Sequence, residues 1–121
     1  MKQIELFLIT IILAVSPIFS QTATYSDTRI TFTAKRDNNY DIYVMNADGS
    51  DLKRLTHDPV VEWAPSWSPD GKEIIFQRVI SGENDSEIYI MNADGSDKRR
   101  ITNNSEYDGQ PDWSPYLNME D

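Results

Sequence analysis

The chain has 121 residues, 20 acidic against 11 basic, a formal net charge of −9 and no cysteine. That length holds one small domain, and the missing cysteine excludes a disulfide framework or a thiolate metal site. The acidic balance disfavours nucleic acid, whose phosphates are neutralised by Lys and Arg.

In chain order the first element is a leader. Lys2 is followed by the apolar run LFLITIILAV (6–15), then by Ser16, Pro17 and Ser20 ahead of Gln21. This is the layout of a secretory signal peptide. About ten apolar residues are half of what a membrane-spanning helix needs. The expectation is a signal peptide over 1–20 and an exported mature chain over 21–121, periplasmic or secreted from a bacterium, with no transmembrane segment. No cysteine follows the apolar run, so no lipid anchor is expected.

The remainder says nearly the same thing twice. DIYVMNADGSDLKRLT (41–56) returns as EIYIMNADGSDKRRIT (87–102), and APSWSPDG (64–71) returns as QPDWSP (110–115). Trp67 to Trp113 is a step of 46 residues, as are Ile42 to Ile88, Asp48 to Asp94 and Thr56 to Thr102. ITFTAKRDNNYDIYVMN, from Ile30, parallels IIFQRVISGENDSEIYIMN, from Ile74, which carries two extra residues in its connecting hairpin. Fixed periods of about 20 to 50 residues mark solenoids, propellers or arrays, each period being one supersecondary unit.

Within a period the pattern is strand and turn. KEIIFQRV (72–79) and EIYIMN (87–92) are short, rich in β-branched and aromatic residues and bounded by Gly, Asn, Asp and Ser. Ile88 and Ile90 point to one face, Tyr89 and Met91 to the other, so both faces of that strand are apolar. SPDG (68–71) is a tight turn, with Pro69 pre-set near φ −65° and Gly71 free to take a positive φ after Asp70. NADGSD, at 46–51 and 92–97, is a hairpin of the Asp-Gly kind, Asp48-Gly49 and Asp94-Gly95. The basic segments LKRLT and KRRIT suit an exposed edge strand. Each period therefore holds four antiparallel strands: a Trp strand, a long strand, an Ile-Tyr strand carrying Tyr43 or Tyr89, and a basic edge. The expected units are strands two to four of one blade over 29–56, a complete blade over 63–102 and the first strand of the next over 109–114.

PSWSPDGKEIIF followed by EIYIMNADGSDKRRIT resembles the WD40-like β-propeller repeat of TolB-type proteins over 29–115. The resemblance implies an all-β fold with about two blades of a six-bladed type of propeller. It implies a protein-interaction module of the cell envelope, with a Pal-like lipoprotein as partner by analogy. The alternative it leaves open is a piece of the propeller of a prolyl oligopeptidase-like peptidase or a polysaccharide lyase. There is no room here for the α/β domain that precedes the TolB propeller, and no Gly-x-Ser-x-Gly elbow is present. Because the repeats run from strands two to four of one blade to strand one of another, three copies joined head to tail would complete six blades as a homotrimer; the alternative expectation is a truncated copy that is unstable alone, since YLNMED follows Pro115 where DGKEIIF would continue the repeat.

No catalytic, cofactor or metal site is expected. His57 lies in a polar loop and is replaced by Asn103 in the second repeat, as a turn residue would be. Asp48, Asp51, Asp94 and Asp97 serve hairpin geometry before glycoside chemistry, and NADGSD lacks the glutamate that closes a calcium loop. Trp67 and Trp113 recur in register and read as packing residues. Trp63 has Gly109 as its counterpart, and this uniqueness makes it the candidate partner-contact residue.

Overall fold

The computed structural model describes residues 28–82 and 84–116. The expected leader over 1–20 lies outside them. Seven strands form two antiparallel sheets: β1 (Arg29–Arg36), β2 (Asn39–Asn46) and β3 (Lys53–Arg54) in the first, and β4 (Glu62–Trp67), β5 (Glu73–Val79), β6 (Ser86–Asn92) and β7 (Arg99–Arg100) in the second. Strand order follows chain order in both, β1-β2-β3 and β4-β5-β6-β7, the meander of a propeller blade.

Local chemistry sets the register. Asp37 and Asn38 both take positive φ, 51° and 64°, the two-residue turn whose twist matches that of its flanking strands. It places Phe32 opposite Tyr43, as the second sheet places Phe76 opposite Tyr89. The edge strands are shorter than the basic segments that were expected to form them. In the first sheet the Thr56 hydroxyl accepts the Ile42 N–H at 3.0 Å, and Thr102 does the same for Ile88 at 3.0 Å. A side chain thus takes the donor that a longer ladder would have used.

The sheets pack face to face. Ile42 and Val44 from β2 meet Ile74, Phe76 and Met91 from β5 and β6 in one buried cluster, with Leu55, Trp67 and Tyr89 against its margin. Alternation along β6 sends Tyr89 and Met91 into this cluster and Ile88 and Ile90 to the opposite face.

The segment 109–114, expected as a first strand, forms no ladder, because no described strand lies beside it to exchange hydrogen bonds. It still has the shape of one. Gln110 has φ 54°, and its repeat equivalent Ala64, at the bulge of β4 between Trp63 and Ser66, has φ 51°. Ser66 donates to Asp112, one full period away.

An aromatic groove as the candidate functional site

The turn residues singled out in the sequence act within their own turns. Asp48 accepts from the Ser50 N–H at 2.9 Å and its hydroxyl at 2.6 Å, and Asp94 does the same with Ser96 at 2.9 and 2.5 Å. Asp70 accepts from the Ser68 hydroxyl at 2.6 Å and the Lys72 N–H at 3.0 Å. In each case the side-chain hydrogen bond, backed by the backbone one, holds the carboxyl below its ordinary value. Gly49, Gly71 and Gly95 all take positive φ, and Pro69 is exposed beside Asp70. Tyr43 is buried under Phe32, centroids 5.8 Å apart, and Tyr89 packs on Phe76 at 5.9 Å. Trp67 is half-buried at the margin of the core and Trp113 half-buried further along the chain.

Two ion clusters repeat with the fold. The Arg54 guanidinium reaches in from the edge to the buried Asp41 at 2.6 Å and donates to the Thr56 carbonyl at 2.9 Å. Arg100 does likewise with the buried Glu87 and with the Thr102 carbonyl at 2.7 Å. Burial pushes the Glu87 carboxyl up, but Thr102, the Asn104 N–H and Arg100 together outweigh it and bring it below its ordinary value. A third cluster has no repeat: Arg78 bonds Asp58 at 2.7 Å and Glu62 at 2.6 Å, and Lys98 bonds Asp58 at 2.7 Å. Hydrogen bonds from Lys98 and then Arg78 lower Asp58 to about 2, while burial dominates at Glu62 and raises it.

Trp63 stands at the start of β4, paired through its backbone with Gln77, and the residue is 37% exposed. It meets Tyr40 with centroids 6.2 Å apart and planes tilted by 49°. Asn39 fixes this meeting by donating to the carbonyls of Asp58 at 2.8 Å and Val60 at 3.2 Å, which ties the Tyr40 strand to the linker before β4. Tyr107 closes the other side, its hydroxyl donating to the Gln77 side chain at 3.2 Å. The three rings bound a groove of about 690 Å³ with Val61 and Val79 and share a second recess of about 410 Å³ over Thr33, Ala64 and Gln77. Tyr40 and Tyr107 are exposed as well. Partly exposed aromatic side chains around a concavity offer a large apolar contact area with polar edges.

Sequence reasoning reached Trp63 but missed Tyr40 and Tyr107. Neither recurs at the period, which is the signal that found Trp63. The uniqueness of Trp63 has a packing correlate: Thr33 and Gln77 are repeat equivalents, Trp63 lines one recess with the small Thr33, and Gly109 lies against the larger Gln77. A Cβ on Gly109 would collide with that Gln77 amide. Among the described residues no group of three or more His, Cys, Asp or Glu is gathered to hold a metal, and His57 is exposed in the linker after β3.

The TolB β-propeller domain family matches residues 12–119. This chain belongs to that family. It is 47% identical over 39 residues to the Tol-Pal system protein TolB of Anaeromyxobacter dehalogenans, a match covering 32% of this chain and 9% of the relative. It is 38% identical over 56 residues to the TolB homolog of Chlorobaculum tepidum, covering 46% of this chain and 13% of that protein. The chain thus spans about a tenth of the length of these curated relatives. Among solved structures, a TolB from Agrobacterium tumefaciens superposes with a TM-score of 0.57 at 36% identity, over 63% of this chain and 27% of that one. TolB from Acinetobacter baumannii gives 0.56 at 28% identity, over 68% and 20%. The two sheets described above are accordingly part of a TolB-type propeller, and no helix among the described residues is long and apolar enough to cross a membrane.

Proposed function

We propose that this chain is an exported, non-catalytic propeller-repeat protein that binds a protein partner in the cell envelope through the groove around Trp63. Family membership supports the interaction role. The observation that carries the site is the convergence of Trp63, Tyr40 and Tyr107, from three separate parts of the chain, on one concavity. The relatives' name, Tol-Pal system protein, makes a Pal-like lipoprotein the first partner to test. The same reading extends to assembly, since three copies of a two-blade chain would fill the six-bladed ring that the resemblance implies. The rival reading, a piece of a peptidase or lyase propeller, draws no support from the relatives named above.

The test is titration of the purified chain with the purified peptidoglycan-associated lipoprotein of the same organism. Trp63→Ala and Tyr40→Ala should each weaken binding at least tenfold while leaving the far-ultraviolet circular dichroism unchanged. Absence of binding by the unmodified chain, or binding indifferent to both substitutions, removes the proposal. Recovery of the protein in the cytoplasm with Met1 intact removes the export part.

A further inference from the structure

We infer that the two outer sheet faces are complementary to each other and that copies of this chain associate head to tail through them. The inference bears on the assembly part of the reading above and is independent of the groove.

The internal contact between the sheets supplies the pattern. On one side stand Ile42, Val44 and Leu55; on the other, Ile74, Phe76 and Met91, with Gly95 so near that a Cβ on it would lie 2.7 Å from the Leu55 carbonyl oxygen. Each side has a repeat equivalent on the sheet face turned away from this contact, where Ile101 and Ile30 are exposed, Ile88, Phe32 and Met45 half-buried and Ile90 buried. Ile88, Ile90 and Ile101 match Ile42, Val44 and Leu55, and Ile101 is 51% exposed. On the opposite end of the molecule Ile30, Phe32 and Met45 match Ile74, Phe76 and Met91, and Gly49 matches Gly95. Gly49 has nothing within 4 Å of its Cβ position. The notch that receives Leu55 inside the molecule is therefore present and open at one end, and the side chain that would enter it is exposed at the other.

The charges have changed together. The internal contact is crossed by Asp58 with Arg78 and Lys98. At the outer faces Asp58 becomes Asn104, Arg78 becomes Ala34 and Lys98 becomes Leu52, so an acid and both of its cations are lost as a set. An external contact between these faces would bury no orphaned member of that trio. One new pairing replaces them. Arg36 sits 4.8 Å over the Tyr43 ring, as Arg78 sits 5.5 Å over that of Tyr89, and Arg36 makes no ion pair among the described residues. Glu62, the second acid on Arg78, becomes Asp108, whose carboxylate among the described residues accepts only from Asn104, at 2.6 Å. Arg36 of one copy thus faces Asp108 of the next. Such a contact is heterologous and propagates, as a ring where the rotation closes.

Sedimentation equilibrium on the chain expressed from the full sequence tests this. Species larger than the monomer should appear with rising concentration. Ile101→Asp, Arg36→Glu and Asp108→Arg should each weaken association at least tenfold with circular dichroism unchanged, and Arg36→Glu combined with Asp108→Arg should restore it. A chain that stays monomeric, or association indifferent to all three single variants, overturns the inference. A face-dependent assembly of a number other than three supports the contact and removes the six-bladed ring. Neither result bears on binding by the Trp63 groove, which the titration above reads separately.

Discussion

Gly95 and Leu55 touch across the two sheets so closely that a Cβ added to Gly95 would meet the Leu55 carbonyl oxygen at 2.7 Å, whereas Gly49, one period earlier at nearly the same φ, has open space around it. The pair separates two costs that usually come together. Alanine at either glycine meets the left-handed backbone penalty of about 1–2 kcal/mol. At Gly95 the collision with the backbone adds roughly 1–3 kcal/mol of overpacking. Urea titrations at low protein concentration should therefore show Gly95→Ala clearly more destabilising than Gly49→Ala. Equal losses would mean that the sheets are not packed as described.

Ala64 reverses the usual expectation for glycine in a strand. It holds φ at 51° at the bulge of β4, where an alanine is strained and a glycine is not. Ala64→Gly should stabilise the chain by about 0.5–1 kcal/mol, although glycine elsewhere in a strand costs stability. A loss on denaturant titration would show that the bulge is absent in solution.

The repeat was legible because its turns and its alternation are local: Asp-Gly hairpins and Ile-Tyr strands announce themselves within a few residues. The meaning of its charges was not. Arg54 and Arg100 read as guards of an exposed edge, yet they reach inward to the buried Asp41 and Glu87. The signal existed, since acid, arginine and threonine recur together one period apart. Reading it required knowing that the edge strand lies over the acid of its neighbour. Glu62 recurs as the acid Asp108, but its pairing with Arg78 shows only once β4 lies beside β5. The groove was half legible: Trp63, Tyr40 and Tyr107 all break the repeat, but that they converge follows only from the Asn39 and Gln77 contacts.

The Asp58 cluster should shape the acid limb of the stability curve. Its carboxyl is lowered from 3.8 to about 2 by Lys98 and Arg78, so between these values the unfolded chain binds the more protons. The stability it contributes is complete above about pH 4 and is lost as pH falls through about 2. Glu62 acts in the opposite sense: burial raises it above 4.5, so stability falls as pH climbs past that value. Asp58 is partly exposed, and after solvent screening its share is about 1 kcal/mol or less. Asp58→Asn should lower stability by that amount at pH 6 and converge with the unmodified chain near pH 2. Parallel curves through the whole range would show that the cluster does not form.

Two threonines, Thr56 and Thr102, follow the edge strands at equivalent places in the repeat. Thr56 is fully buried, and its hydroxyl is the acceptor for the Ile42 N–H at 3.0 Å. Valine has nearly the same shape and no acceptor, so Thr56→Val leaves a buried backbone donor unpaired. The cost of such a group is about 1–3 kcal/mol. Thr102 makes the same bond to the Ile88 N–H at 3.0 Å, but it is only half-buried. Water can reach the donor there, so the Ile88 N–H contributes less to the cost of Thr102→Val, which in addition removes the hydroxyl that Thr102 donates to the buried Glu87. Thr56→Ser keeps the oxygen and should fall below Thr56→Val in cost, which separates the hydrogen bond from the lost methyl group. Amide exchange gives the direct reading: Ile42 should lose protection in Thr56→Val and keep it in Thr56→Ser. Exchange at Ile42 that is unchanged by the valine would show that the ladder, and not the hydroxyl, holds this donor.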